Sequence, residues 1–213
     1  MSTDKFIKKW EKQGGGSIFS KIGARIHPTP LRERLAHSLY RLNVLQSRLE
    51  QTASKMEYKS KELFEKCVNA QSAKDFERAK VYANECAEIR KIAKVVLSSQ
   101  IAIEQVALRL ETVEEFGDIA ATMGPVVGVV NALKGQLSGV VPEASYELGV
   151  IGESLGELVM EAGEATGTTV SLGSYSAESQ KILAEASTVA DQRMKEKFPE
   201  LPVQATPLSE KLM

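Results

Sequence analysis

The sequence is poor in the residues that metal centres, disulfide frameworks and membrane spans require. Its 213 residues contain two cysteines and two histidines, too few for a disulfide scaffold or a zinc site. No run of about 18 apolar residues occurs that would form a single transmembrane helix, because polar residues interrupt the most apolar stretch, residues 124–141. The first residues lack the apolar core and cleavage site of a secretory signal, so we expect a cytoplasmic protein.

Signatures of catalysis are missing as well. The three glycines at 14–16 do not have the spacing of a phosphate-binding loop. His27 and His37 have a spacing that does not suit metal binding on one helix face. Adjacent carboxylates such as Glu114 and Glu115 fall at the spacing of a solvated helix surface. We therefore expect no enzyme activity, no bound cofactor and no metal.

Charge is balanced overall but divided along the chain. The net charge is −1, yet residues 1–95 contain 20 Lys and Arg against 11 Asp and Glu, while residues 96–213 contain 7 against 17. Two halves of opposite net charge predict association, either within one chain or between the acidic part of one copy and the basic part of the next. The alternative is two solvated faces of different sign. The basic half has little aromatic interleaving, so no nucleic-acid partner is expected.

Two long amphipathic helices are predicted in residues 31–116. The first, over residues 31–70, has an apolar residue at every seventh position, and the second runs from about residue 73 to 116. Because the connection between them is short, the two helices should pack antiparallel as a helical hairpin. The apolar stripe of the second helix is expected to begin at Phe76.

The turn of this hairpin is expected at residues 69–72, with Ser72 or Asp75 as the next N-cap. A turn centred there places Cys67 opposite about residue 76 and leaves Cys86 some 15 Å further along the helix, at about 1.5 Å per residue. A disulfide between the two cysteines is therefore not expected, and both are interpreted as small core residues.

Residues 117–175 have a helical pattern in a sequence that disfavours helices. They contain 11 of the 15 glycines, yet apolar residues recur at helical spacing. This combination predicts conditional helices that dock in one state and extend in another; the alternative is a poorly stable linker. The Gly-, Thr- and Ser-rich residues 163–175 are expected to form a flexible link.

The two ends of the chain differ from its centre. Residues 176–197 are predicted to form a last amphipathic helix, and residues 198–213 an extended, proline-rich tail. Residues 1–30 begin with a short basic segment that has an apolar face, which is typical of a helix at an anionic membrane interface. Alternatively its apolar side chains cap the hairpin core. The predicted membrane-binding residues are Phe6, Ile7, Lys8, Lys9, Trp10 and Lys12.

A basic helical hairpin, a hinged acidic C-terminal half and a proline-containing end, in this order, resemble the ESCRT-III family of membrane-remodelling filament proteins. The most specific stretch, Arg78–Lys91, looks like the second-helix segment of the archaeal cell-division (Cdv-type) members. The resemblance covers roughly residues 20–210. It implies an all-α fold of about five helices, of which the first two form a long antiparallel hairpin.

The resemblance also implies a function. Such proteins polymerise with themselves and with paralogues into filaments that constrict and cut membranes in archaeal cell division, and the acidic C-terminal part can hold the basic core inactive. This protein would then be attached peripherally to the membrane at the division site. The basic residues expected to face the membrane or a neighbouring subunit are Arg32, Arg34, Arg41 and Arg48.

The tail resembles the proline-rich MIT-interacting motif, which binds the MIT domain of an AAA ATPase that remodels the polymer. The segment after residue 175 is too short for the winged helix that many archaeal relatives carry, so the resemblance implies a paralogue that joins a polymer begun by others. Leu201, Pro202, Val203 and Pro207 match the apolar and proline positions of the motif. The residues expected to bind the ATPase are Phe198, Pro199, Leu201, Pro202, Val203, Pro207 and Leu208.

Two other functions are compatible with the same residues. A phage-shock-type membrane-stabilising protein has a similar helical hairpin, although the proline motif near the C-terminus argues against it. A coiled-coil scaffold that never contacts a membrane would instead bury Phe6, Ile7 and Trp10 in protein.

Overall fold

The computed structural model of the chain describes residues 31–116, 119–166 and 176–201, and this part of the chain is entirely α-helical. The helices are α1 (Leu31–Ser72), α2 (Phe76–Phe116), α3 (Ile119–Leu137), α4 (Pro142–Thr166) and α5 (Ala177–Lys197). The all-α prediction and the long hairpin of the first two helices are confirmed. Helix α4 continues to Thr166, so the link expected from residue 163 does not begin before residue 167.

The turn between α1 and α2 lies three residues later than predicted. Helix α1 continues through Ser72, and the turn is closed by bonds from the Lys74 and Asp75 amides to the Gln71 and Ala70 carbonyls, at 2.9 Å each. This is the Schellman arrangement, in which the residue after the helix adopts the left-handed conformation. Lys74 does so, with φ of 61°. Asp75 caps α2 as predicted, accepting a bond from the Arg78 amide at 3.2 Å.

The end of the hairpin nearest this turn, which we call the tip, has a core of small side chains. Cys67, Ala79 and Ala83 are fully buried there. The Cys67 thiol donates to the Ala79 carbonyl at 3.3 Å, three residues beyond the position expected, because the turn itself is three residues later. Burial raises the pKa of the Cys67 thiol. Phe76, expected on the buried stripe, is 64% exposed, because it lies in the first turn of α2, beyond the tip core.

The opposite end of the hairpin, which we call the base, is covered by the other three helices. Helix α3 packs against α2, α4 and α5, and α4 packs also against α1. The main core lies here and is built from large aliphatic side chains. Its largest fully buried members are Leu31, Leu35, Leu42, Leu49, Ile103, Leu110, Met123, Leu133, Leu137, Leu148 and Ile151.

Gly152 of α4 permits close packing between α3 and α4. A Cβ atom at Gly152 would lie 3.1 Å from Asn131 Oδ1 and 3.3 Å from Val130 Cγ1, closer than nearly all side-chain contacts. Helix α5 begins at an N-cap, Ser176, and Ser179 then donates to the Pro125 carbonyl of α3 at 2.9 Å. Both conditional helices are therefore formed and docked in this structure, despite low intrinsic propensity.

Candidate interface between the basic and acidic halves

The acidic helix α4 lies along α1 and pairs with two of its arginines. Arg34 reaches both Glu157 (Nη2–Oε2 2.7 Å) and Glu161 (Nη1–Oε2 3.1 Å). Arg41 Nη2 lies 2.5 Å from Glu147 Oε2. The two arginines are one heptad apart on α1 and their partners run in the reverse order on α4, so the helices are antiparallel here. The arginine side chains are 20% and 26% exposed, which protects these pairs partly from solvent screening.

Helix α5 makes a second set of ion pairs with the hairpin. Lys94 on α2 lies 2.6 Å from Asp191, and Arg109 on α2 pairs with Glu178 near the start of α5. At the other end of α5, Lys197 Nζ lies 2.8 Å from Glu57 Oε2 on α1. Among the described residues, the pairs joining α4 or α5 to the hairpin therefore have the cation on the hairpin, with Lys197–Glu57 as the exception.

This pattern explains the division of charge along the sequence. The halves of one chain fold onto each other, which is one of the two associations that the charge distribution predicts. Pairs that lie within one helix, such as Glu62–Lys66 at 2.5 Å, are a different class. That pairing lowers the pKa of Glu62 through the hydrogen bond and charge of Lys66, but both side chains are about half exposed and the pair lies within one helix.

The four arginines expected to face the membrane or a neighbouring subunit differ in their surroundings. Arg34 and Arg41 lie under α4, whereas Arg32 and Arg48 are exposed. Arg32 is two residues from Arg34, about 200° around the helix, so the two cannot face the same way. Arg48, one heptad beyond Arg41, lines a shallow groove with it where α4 crosses α1. Full exposure of Arg34 and Arg41 beside Arg48 would require α4 to move away from α1, and Arg32 would still face another direction.

The predicted terminal sites are only partly described. The predicted membrane segment lies outside the described residues, as do Pro202, Val203, Pro207 and Leu208 of the tail. The first two residues of the tail, Phe198 and Pro199, contact Arg90 of the hairpin. The Phe198 amide donates to the Met194 carbonyl at 3.0 Å, and the guanidinium of Arg90 on α2 lies over the Phe198 ring, 5.6 Å from its centre.

Several residues of this interface were missed by the sequence analysis. Glu147, Glu157 and Glu161 are partners of the predicted basic residues, and their helical spacing on an acidic segment could have marked one face of α4. Arg90 was noted only as part of a family-like stretch. Nothing in its local sequence predicts that it contacts the tail 109 residues later.

Neither a membrane span nor a metal cluster was found among the described residues. No helix there has both the length and the apolar content to cross a bilayer. The described histidines, cysteines and carboxylates form no group of three or more that could hold a metal ion.

Comparisons with known proteins identify the family. The chain is 50% identical over 202 residues to cell division protein B1 of Sulfolobus acidocaldarius, covering 95% of this chain and 92% of that protein. It is 32% identical over 162 residues to cell division protein B of the same organism, covering 76% of this chain and 62% of that protein. Cell division protein B3 is 29% identical over 122 residues, covering 56% of this chain and 69% of that protein.

No protein-family model and no solved structure matches the chain. The identity to cell division protein B1 nevertheless extends over nearly the whole of both sequences. The chain belongs to the archaeal, ESCRT-III-like family of B-type cell division proteins.

Proposed function

We propose that this protein acts in archaeal cell division by forming filaments on anionic membranes, with copies of itself and with B-type paralogues. The filaments constrict and cut the membrane at the division site, and the described structure is the closed, unassembled state. The observation that supports this most directly is the acidic cover on the basic hairpin: Arg34 and Arg41 are occupied by carboxylates of α4.

The carboxylates of α4 compete with the membrane for Arg34 and Arg41. A basic side chain near an anionic membrane surface contributes about 1 kcal/mol, which is comparable to a partly exposed ion pair. One molecule therefore gains little by opening. A filament repeats the contact along its length, so that the membrane attraction of many subunits acts together and favours the open state.

The terminal segments complete the proposal. The basic segment with Phe6 and Trp10 would anchor the filament, and the tail from Phe198 onward would bind the MIT domain of an AAA ATPase that supplies the energy for remodelling.

Charge reversal on α4 tests the proposal. The interface variant, Glu147→Lys with Glu157→Lys and Glu161→Lys, should release α4 from α1 and increase filament formation on vesicles containing anionic lipid. The control, Glu143→Lys with Glu153→Lys and Glu164→Lys, makes the same charge change at three exposed glutamates of the same helix that form no ion pair with the described residues of the hairpin. Co-sedimentation and negative-stain microscopy are the measurements, with circular dichroism to check that both variants fold.

The proposal predicts that the control sediments like the original chain. Equal gains in both variants would show that total charge, and not closure, controls binding. A folded interface variant that forms no lipid-dependent filaments would favour a scaffold that acts without a membrane. Removing residues 1–13 should lower vesicle binding in every variant, and titration of an isolated MIT domain with the intact chain tests the ATPase-binding tail separately.

A further inference from the structure

The start of the tail is held on the hairpin by one arginine. The guanidinium carbon of Arg90 lies 5.6 Å from the centre of the Phe198 ring and 6.0 Å from the centre of the Phe64 ring on α1. Both distances fall within the range of cation–π attraction. Arg90 Nη1 also donates a hydrogen bond of 2.6 Å to the carbonyl of Pro199. One side chain of α2 therefore contacts both a ring and a backbone carbonyl of the tail.

Arg90 is positioned by the hairpin itself. Its Nε donates to Ser60 Oγ at 3.1 Å, and Ser60 is 1% exposed, with its hydroxyl 3.4 Å from Cys86 Sγ. The guanidinium is thus oriented by contacts that do not involve the tail. Its Nη2 is buried and has no hydrogen-bond partner among the described residues. A planar guanidinium held in this way can stack and donate at once, which a lysine ammonium cannot do.

We propose that Arg90 is the positioning residue of a latch, formed by Ser60, Phe64 and Arg90 on the hairpin and by Phe198 and Pro199 on the tail. The latch keeps residues 198–201 away from any partner that must bind the tail as an extended peptide. Such partners use the backbone carbonyls and alternate side chains of the peptide, and the latch already occupies Phe198 and the Pro199 carbonyl.

The latch makes access to the tail depend on the closed state. The neighbouring ion pair, Lys197–Glu57, also joins the end of α5 to α1, so lifting the end of α5 breaks both contacts together. Only the identity of the partner, an MIT domain, rests on the proposed function. The latch itself concerns contacts within one chain.

Hydrogen exchange and proteolysis of the full-length protein test the latch without any partner. Arg90→Ala should raise the exchange rate of the Phe198 amide, which donates to the Met194 carbonyl, by about tenfold, because it removes a charge-assisted hydrogen bond and the ring contact that hold this end of α5. A protease that cleaves after glutamate must bind residues around Glu200 in an extended form, and the rate of cleavage there should rise by a similar factor. Arg90→Lys should give an intermediate increase, since it keeps the charge but loses the planar stacking.

Two further variants show whether the effect belongs to the latch. Phe198→Ala changes only the tail side, cannot disturb the hairpin core, and should release residues 198–201 like Arg90→Ala. Lys94→Ala, which removes a cation of the same helix that pairs with α5, should leave exchange at 198–201 within about twofold. Amides of the base core, such as those of Ile103 and Leu110, should exchange equally in all variants.

Unchanged exchange and cleavage at residues 198–201 in both Arg90→Ala and Phe198→Ala would overturn the latch. So would an equal increase in Lys94→Ala, which would indicate general loosening of α5. None of these measurements uses a membrane or an ATPase. A tail that is released as expected but binds no MIT domain would contradict the proposed function and leave the latch standing.

Discussion

The base and the tip of the hairpin are built from the same two helices but are stabilised differently. At the base, α1 and α2 bury large side chains such as Leu42 and Leu110, and three further helices cover them. At the tip the helices pack through Cys67, Ala79 and Ala83, and no other helix contributes to that buried cluster. The free energy from buried area is therefore concentrated at the base, while the tip is a close-packed pair of helices with little apolar area.

The largest expected effect is loss of a leucine at the base. Leu42→Ala removes a side chain that is 0% exposed, and the cavity should lower the free energy of unfolding by about 2–5 kcal/mol. Urea denaturation followed by circular dichroism measures it. A loss below about 1 kcal/mol would mean that the base is not the main source of stability.

A larger side chain at the tip should lower the free energy of unfolding by a smaller amount and should disturb only the tip. Ala83→Leu forces extra volume between α1 and α2 and should cost about 1–3 kcal/mol. Separation of α1 and α2 at the tip can be measured by the reactivity of the Cys67 thiol. In the original chain a thiol reagent should react slowly, because burial blocks access and the raised pKa of the thiol leaves little thiolate at neutral pH.

In the tip variant the thiol at 67 should react faster, while amide exchange at the base stays unchanged. Leu42→Ala provides the opposite control, because its cavity lies among residues that α3, α4 and α5 cover. If Ala83→Leu loosens both ends equally, the hairpin behaves as one cooperative unit and the contrast between base and tip fails.

The ion pairs that join the two halves should contribute moderately to the free energy of unfolding. Arg34→Gln removes an ion-pair partner of both Glu157 and Glu161 and should lower the free energy of unfolding by about 1 kcal/mol. The Arg34 side chain is 20% exposed, whereas those of Glu157 and Glu161 are 71% and 26% exposed, so solvent screens the first pair more than the second. Lys66→Gln removes an exposed pair within α1 and should give no measurable change. Both measurements should be repeated in 1 M salt, where the screening length is about 3 Å. The change in the free energy of unfolding caused by Arg34→Gln should then become smaller, and an unchanged value would argue against a Coulombic origin.

The smallest expected effect lies in the turn at the tip. Lys74 adopts a left-handed conformation that glycine adopts without steric cost. Lys74→Gly should raise the free energy of unfolding by about 0.5 kcal/mol, because relief of this strain is partly offset by the greater freedom of glycine in the unfolded chain. Thermal unfolding measures the shift. A destabilised variant would show that the Lys74 side chain contributes a contact of its own.

The sequence predicted the helices better than their contacts. Heptad spacing over Leu35, Leu42 and Leu49 repeats a local pattern that holds whatever the partner is, so the first helix was predicted to within two residues. The turn was displaced because α1 continues through the polar residues 69–72 and is closed only by the bonds from the Lys74 and Asp75 amides. The local sequence is compatible with a turn at either place. The packing of α1 against α2 determines which one forms.

The sequence predicted the sign of the charge on each half of the candidate site but not which residues pair. The basic first half and acidic second half indicated association, yet they did not show that Arg34 faces Glu157 or that Arg32 points elsewhere. Those facts depend on how α4 lies along α1, which is set by the large side chains of the base. Arg90 was missed for the same reason, since its role arises from residues distant in the sequence.

The sequence separation of the covering ion pairs has a consequence for synthesis. Arg34 and Glu157 are 123 residues apart, so at about 5–20 residues per second the arginine emerges roughly 6–25 s before its partner. The hairpin, whose two helices are adjacent in the chain, can form during that interval with its basic side uncovered. Each newly made molecule therefore passes through an uncovered stage before α4 exists to close it, and a polyanion near the ribosome would meet the hairpin first.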